Sequence, residues 1–119
     1  MNKRNNDFPH KLKELLAAVS EKKAENLVIL DVADLVGYTD HFVIATGKNA
    51  PHVRAMADAA AAALKIPNAK GINIESDSDA TWILIDGGDF ILHLFQPEAR
   101  KYYALEDLWS DAKVLDFEK

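Results

Sequence analysis

The stretch TWILIDGGDFILHLF, residues 81–95, constrains the fold more than any other part of the chain. Two apolar runs flank a Gly-Gly pair, and side chains alternate between faces along a strand, so the runs read as the arms of an antiparallel hairpin. With Gly87 and Gly88 as a two-residue turn, Asp86 is expected to face Asp89, Ile85 to face Phe90, and Leu84 to face Ile91. Ile83 then faces Leu92, and Trp82 faces His93. One face carries Ile83, Ile85, Phe90, Leu92 and Leu94, all apolar. The other carries Trp82, Leu84, Asp86, Asp89, Ile91, His93 and Phe95. Burying an unpaired carboxylate costs several kcal/mol, whereas an exposed Trp or Leu forfeits about 2 kcal/mol. The apolar face is therefore expected to be core and the mixed face at least partly exposed. The pattern leaves a second arrangement open, in which a C-terminal helix covers Trp82 and His93 and the two acids only solubilise the turn.

Around this hairpin the remaining elements read in order. Leu12, Leu15, Leu16 and Val19 form one stripe of an amphipathic helix over residues 8–23, with Asp7 as N-cap and Pro9 in the first turn. NLVILDV is nearly continuous in apolarity, which predicts a strand buried on both faces near the sheet centre, and HFVIATG, after ADLVGYTD as a turn, reads as a second buried strand. A second helix opens at Asn49 and Pro51, turns Val53, Met56, Ala57, Ala60 and Leu64 inward, and ends at Ile66, Pro67 and Asn68. KGINIES is a short strand and SDSDA a polar loop. After the hairpin, PEARKYYALEDLW gives one or two short helices, with Leu105, Leu108 and Trp109 closing the core. The charged tail over 110–119 is expected to fray. The pattern predicts one α/β domain over residues 1–119, with a mixed, mainly five-stranded sheet flanked by helices and a strand–helix–strand crossover over 41–76.

Composition narrows the function classes. No apolar run approaches the roughly 20 residues that span a bilayer, and the N-terminus lacks a signal core, so a cytoplasmic protein is expected. The absence of cysteine removes disulfides, thiolate metal sites and cysteine nucleophiles. A formal net charge of −5 argues against a purely electrostatic nucleic-acid binder and suits a basic protein partner. His10, His41, His52 and His93 fall on different elements without metal-ligand spacing, so no metal or cofactor is expected. Asp77 and Asp79 have the spacing of a paired-acid metal site but lie in a loop with no preceding Gly-Ser. TGKNAPH leads from a strand into a helix N-terminus, a place where backbone amides can hold an anion. A nucleotide-binding or nucleotidyltransferase-like module using Gly47, Asn49 and Asp31 is therefore the rival reading, although neither a Walker nor a GxGxxG pattern is present.

Four motifs occurring in order, TDHFVIATG with HVRAMAD, then TWILIDGGDFILHLF and PEARKYYALEDLW, closely resemble the ribosomal silencing factor, or Iojap-like, family over roughly residues 10–112. The chain differs where the family often has a Ser-rich turn, here Lys48, Asn49 and Ala50, and in the loop SDSDA. The resemblance implies a non-enzymatic translational repressor that binds the large ribosomal subunit through its ribosomal protein fourteen and blocks joining of the small subunit when nutrients are short. It also implies a mixed sheet similar to nucleotidyltransferases without their catalytic acids. Trp82 and Asp86 correspond to the family's exposed Trp and Asp, and Arg100, Tyr102, Tyr103, Leu105, Glu106 and Trp109 to its terminal aromatic motif. On this basis Trp82, Leu84, Asp86, Asp89, Ile91, His93, Arg100, Tyr102 and Tyr103 are expected to form the partner-binding strip, and the free protein to pair weakly with itself through that exposed surface.

Overall fold

A computed structural model describes residues 8–64, 74–76, 79–115 and 117. Its elements are α1 (His10–Glu21), β1 (Glu25–Asp31), β2 (His41–Thr46), α2 (Ala50–Ala63), β3 (Ile74–Ser76), β4 (Trp82–Asp86), β5 (Phe90–Phe95), α3 (Pro97–Tyr103), α4 (Leu105–Leu108) and β6 (Lys113–Leu115). The expected cap at Asp7, the helix end at 66–68, and Asp77 lie outside the described residues. Pro9 takes the N-cap position of α1 rather than its first turn. Asn49 caps α2 as expected, its side chain accepting from the His52 amide at 2.9 Å.

The six strands form one sheet in the order β3-β4-β5-β2-β1-β6. At its centre β2 and β5 pair in parallel from His41↔Phe90 to Thr46↔Phe95, and every residue of both strands is buried. A parallel pair needs a long connection, and α2, β3 and β4 supply it. The remaining described pairings are antiparallel. Two expectations are corrected. β1 sits one strand from the edge rather than near the centre, and only Ile29 and Leu30 of it are fully buried. The tail expected to fray contains β6, which extends β1 and buries Leu115 against the first core. A three-residue strand is too short to show a period-2 signal.

The hairpin register is also corrected. Asp86 faces Ile91, Leu84 faces His93 and Trp82 faces Phe95, two residues further along β5 than a Gly87–Gly88 turn allows. The Gly87 amide bonds the Phe90 carbonyl at 2.8 Å, so the turn is centred on Gly88 and Asp89. Gly88 takes φ +89°, a conformation glycine adopts without a Cβ penalty, and its amide donates to Asp86 Oδ1 at 2.9 Å. The carboxylate of Asp86 thus holds the turn, and the opposed Asp pair, which would repel, does not form. A shift of two residues preserves which face each side chain occupies.

The expected core face stands. Ile83, Ile85, Phe90, Leu92 and Leu94 join Leu12, Leu15, Leu16 and Val19 of α1 and Val53, Met56, Ala57 and Ala60 of α2 in one cluster. The opposite face holds a second cluster of Leu30, Val32, Phe42, Ile44, Ile91 and Phe95, covered by Ala99 of α3, Leu105 of α4, Trp109 and Ala112 after it, Trp82 and Leu84 of β4, and Val28 and Val36 of β1 and the loop that follows it. Leu92 is fully buried in the central strand while Val114 is exposed at the edge. Leu92→Ala should therefore cost about 2 to 5 kcal/mol in chemical denaturation and Val114→Ala less than about 0.5 kcal/mol. Equal costs would contradict this layering.

Candidate functional site

The second face is built around Trp82. As the first residue of β4 it stacks on Phe95 across the ladder, with ring centroids 5.0 Å apart, and packs against Tyr103 of α3 at 4.6 Å. Its indole Nε1 donates to His93 Nδ1 at 3.2 Å, a diagonal reach across two strands that long aromatic side chains can span. With Nδ1 accepting, the neutral imidazole carries its proton on Nε2, which is buried without a hydrogen-bond partner. Burial disfavours the imidazolium and lowers the His93 pKa from 6.5 to about 4. His93 is therefore a neutral packing and acceptor group.

Two short helices close this face, and polar anchors place them. Gln96 Nε2 donates to the carbonyls of Asp79 and Ala80 at 2.9 and 3.1 Å, fixing the entry to α3. Pro97 occupies the first turn, where its missing amide costs nothing. Ala104, at φ 44°, ends α3 and redirects the chain into α4. Across that bend Arg100 holds Glu106 Oε2 with Nε and Nη2 at 2.9 and 2.7 Å, and its Nη1 donates to Thr46 Oγ1 at 2.8 Å. The guanidinium ties both helices to the end of β2. Neither helix buries a residue fully, and Tyr102 and Leu108 stand 82% and 68% exposed. Tyr102 packs edge-on against Tyr103 at 5.0 Å.

The acids gather at the opposite end of the hairpin. Asp89 is exposed, and its carbonyl accepts from the amides of Asp40 and His41 at 3.0 and 3.2 Å, which ties the turn to the start of β2. The rival nucleotide site does not assemble. Asp31 pairs with His41 at one end of the β1–β2 ladder, whereas Gly47 and Asn49 follow Thr46 at the other, about 17 Å away. The loop amides are also spent internally. Gly47 N bonds Phe95 O, Lys48 N bonds His52 Nδ1 at 2.8 Å, and the Asn49 side chain is the helix cap. Gly47 serves packing, since a Cβ there would lie 2.8 Å from Met56 Cε and Val53 Cγ2.

Of the nine expected strip residues, the structure leaves Trp82, Leu84 and Asp86 half-buried and Asp89, Tyr102 and Tyr103 exposed. Ile91 and His93 are corrected: at 8% and 6% exposure they lie beneath the aromatic layer and form no part of the surface. Arg100 faces inward as a clamp. Leu105 and Trp109 pack on the second cluster as expected of core closure, but Leu108 points out. Leu35 and Tyr38 in the β1–β2 loop are exposed apolar residues that the strip did not include. The signal available for them was two large apolar groups within a turn sequence.

Fold and site define an α/β sheet protein with one helix-packed face and one aromatic face that presents a surface. The chain's residues 5–119 match the family model for "Ribosomal silencing factor during starvation". The chain belongs to that family. It is 38% identical over 104 residues to the ribosomal silencing factor of Halalkalibacterium halodurans, covering 85% of this chain and 86% of the relative. It is 30% identical to the mouse protein named mitochondrial assembly of ribosomal large subunit protein 1, over 81% of this chain and 43% of that one. A crystal structure of a Chromobacterium violaceum protein superimposes with a TM-score of 0.76 at 29% identity, covering 84% of this chain and 83% of that chain.

His93 makes stability depend on pH. The unfolded imidazole takes a proton near pH 6.5 and the folded one only near 4, so protonation within that window favours unfolding. The part of the stability linked to His93 should fall as pH drops from about 6.5 to about 4 and level off below. Relative to His93→Phe, the wild type should lose about 3 kcal/mol more over that range, measured by urea denaturation at each pH. Superimposable pH profiles would contradict a buried neutral His93.

Proposed function

We propose that the protein is a cytoplasmic, non-enzymatic repressor of translation that docks on ribosomal protein fourteen of the large ribosomal subunit and sterically blocks joining of the small subunit under nutrient limitation. The observation that carries this reading is the unfinished second face. Tyr102, Tyr103 and Leu108 are exposed on helices that bury no residue fully, beside half-open Trp82 and Leu84. Rigid aromatic groups standing on a fixed sheet are the typical anchors of a protein interface. Asp86 and Asp89 place negative charge at one end of the strip, suited to the Lys and Arg of a ribosomal protein. Membership of a silencing-factor family and the large-subunit name of the mouse relative support the same partner.

In this reading the scaffold is a nucleotidyltransferase-like sheet put to non-catalytic use, with occupancy of a surface as its whole mechanism. Trp82 and Leu84 supply apolar contact, Tyr102 and Tyr103 extend it along α3, and Arg100 positions them. The same strip, left bare, gives the free protein a weak tendency to self-pair. In co-sedimentation with purified large subunits, Tyr102→Ala and Trp82→Ala should each bind on the order of ten-fold more weakly, and Asp86→Lys should weaken binding most at low salt. If all three variants stay folded and bind as the wild type does, the strip is not the docking surface.

A further inference from the structure

The β1–β2 loop carries an apolar surface outside the strip. Val32 N donates to Asp40 O at 2.9 Å and closes the loop at its base, while Leu35 N and Val36 N both bond Val32 O. Val32 is fully buried and Val36 packs on the second cluster, so the loop is anchored from beneath. Leu35 and Tyr38 nevertheless stand 42% and 63% exposed. Their rim is acidic. Asp34, Asp40 and Asp89 are exposed, and the Asp40 amide bonds the Asp89 carbonyl, which brings the loop and the hairpin turn together. No Lys or Arg occurs between Lys23 and Lys48 or between Lys70 and Arg100. The nearest cation along the ladder is Lys113, opposite Asp31. The patch also joins the docking strip through a chain of rings. Tyr38 meets Phe42 at 6.4 Å, Phe42 meets His93 at 5.2 Å, His93 meets Trp82 at 5.8 Å, and Trp82 meets Tyr103 at 4.6 Å.

We infer that Leu35 and Tyr38 form a second docking point for a basic protein surface with an apolar centre, engaged by the same partner that the Trp82 and Tyr102 strip contacts. The inference rests on the proposed function and extends its contact across the acidic end of the sheet. Nucleic acid does not fit an acidic rim. A second copy of the chain fits poorly, because pairing through this patch sets Asp34, Asp40 and Asp89 against themselves in a protein of net charge −5. An apolar pair with exposed carboxylates in the same loop and the adjoining turn fits Lys and Arg beside an aliphatic or aromatic group, with the charges speeding encounter and the apolar pair slowing release.

The test titrates the full chain against purified large subunits, comparing wild type with Leu35→Ser/Tyr38→Ala, Asp34→Lys/Asp40→Lys and Tyr102→Ala. All the substituted side chains are exposed, and each variant is checked for an unchanged thermal midpoint. The Leu35/Tyr38 variant should bind on the order of ten-fold more weakly. The Asp34/Asp40 variant should associate more slowly and lose much of its salt dependence. If the Leu35/Tyr38 and Asp34/Asp40 variants bind as the wild type while Tyr102→Ala is weakened, the second docking point is wrong and the proposed function stands. If wild type itself does not co-sediment, both fall. If Leu35→Ser/Tyr38→Ala alters only self-association in analytical ultracentrifugation, the patch is a self-interface and the inference is overturned.

Discussion

The parallel pairing of β2 with β5 is the constraint on which the rest of the structure depends. All six positions of each strand are buried, from His41↔Phe90 to Thr46↔Phe95. A pair buried on both faces obliges the chain to cover both. The first cover, α1 with α2, is thick and apolar. The second consists of two short helices, a loop and a Trp ring, and it is finished by polar anchors as much as by apolar burial. What this thin cover leaves exposed is the surface available to a partner.

The two faces resolve a conflict within the hairpin. A face that mixes Trp82, Ile91, His93 and Phe95 with Asp86 is neither good core nor good surface. The structure divides it between the two arms, β5 buried and β4 half-open. Ile91, His93 and Phe95, toward the sheet centre, are buried, and the one imidazole among them stays neutral there. Asp86, at the strand end, keeps its carboxylate near water and bonds the Gly88 amide. Trp82 begins the same strand at its other end, its ring on Phe95 and Tyr103 and its nitrogen on His93. The indole is held in one position before any partner arrives, which lowers the entropy lost on binding.

Much of this was legible in residue patterns, and what was not had physical reasons. The stripes of α1 and α2 and the apolar side of the hairpin follow from periods of 3.6 and 2 residues, and the structure keeps them. The turn register could not be read in the same way. Gly87–Gly88 and Gly88–Asp89 are both acceptable turn pairs, and what distinguishes them, Asp86 bonding Gly88 N and the Asp89 carbonyl receiving the amides of Asp40 and His41, is long-range or side-chain detail. Burial of His93 and Ile91 depended on α3 and α4 folding back, which no local period encodes. Arg100 looked like a surface cation because its partners, Thr46 and Glu106, lie on other elements. The family motifs carried the functional expectation, and the chain belongs to that family.

In the proposed docking the aromatic face, and not the α1–α2 face, meets the ribosome. Hydroxyl-radical footprinting of the protein, free and bound to large subunits, reads side-chain exposure directly. Oxidation of Trp82, Tyr102 and Tyr103 should fall on binding while that of His10, exposed at the start of α1, is unchanged. Unaltered oxidation of Trp82 and Tyr102 together with protection along α1 and α2 would contradict it.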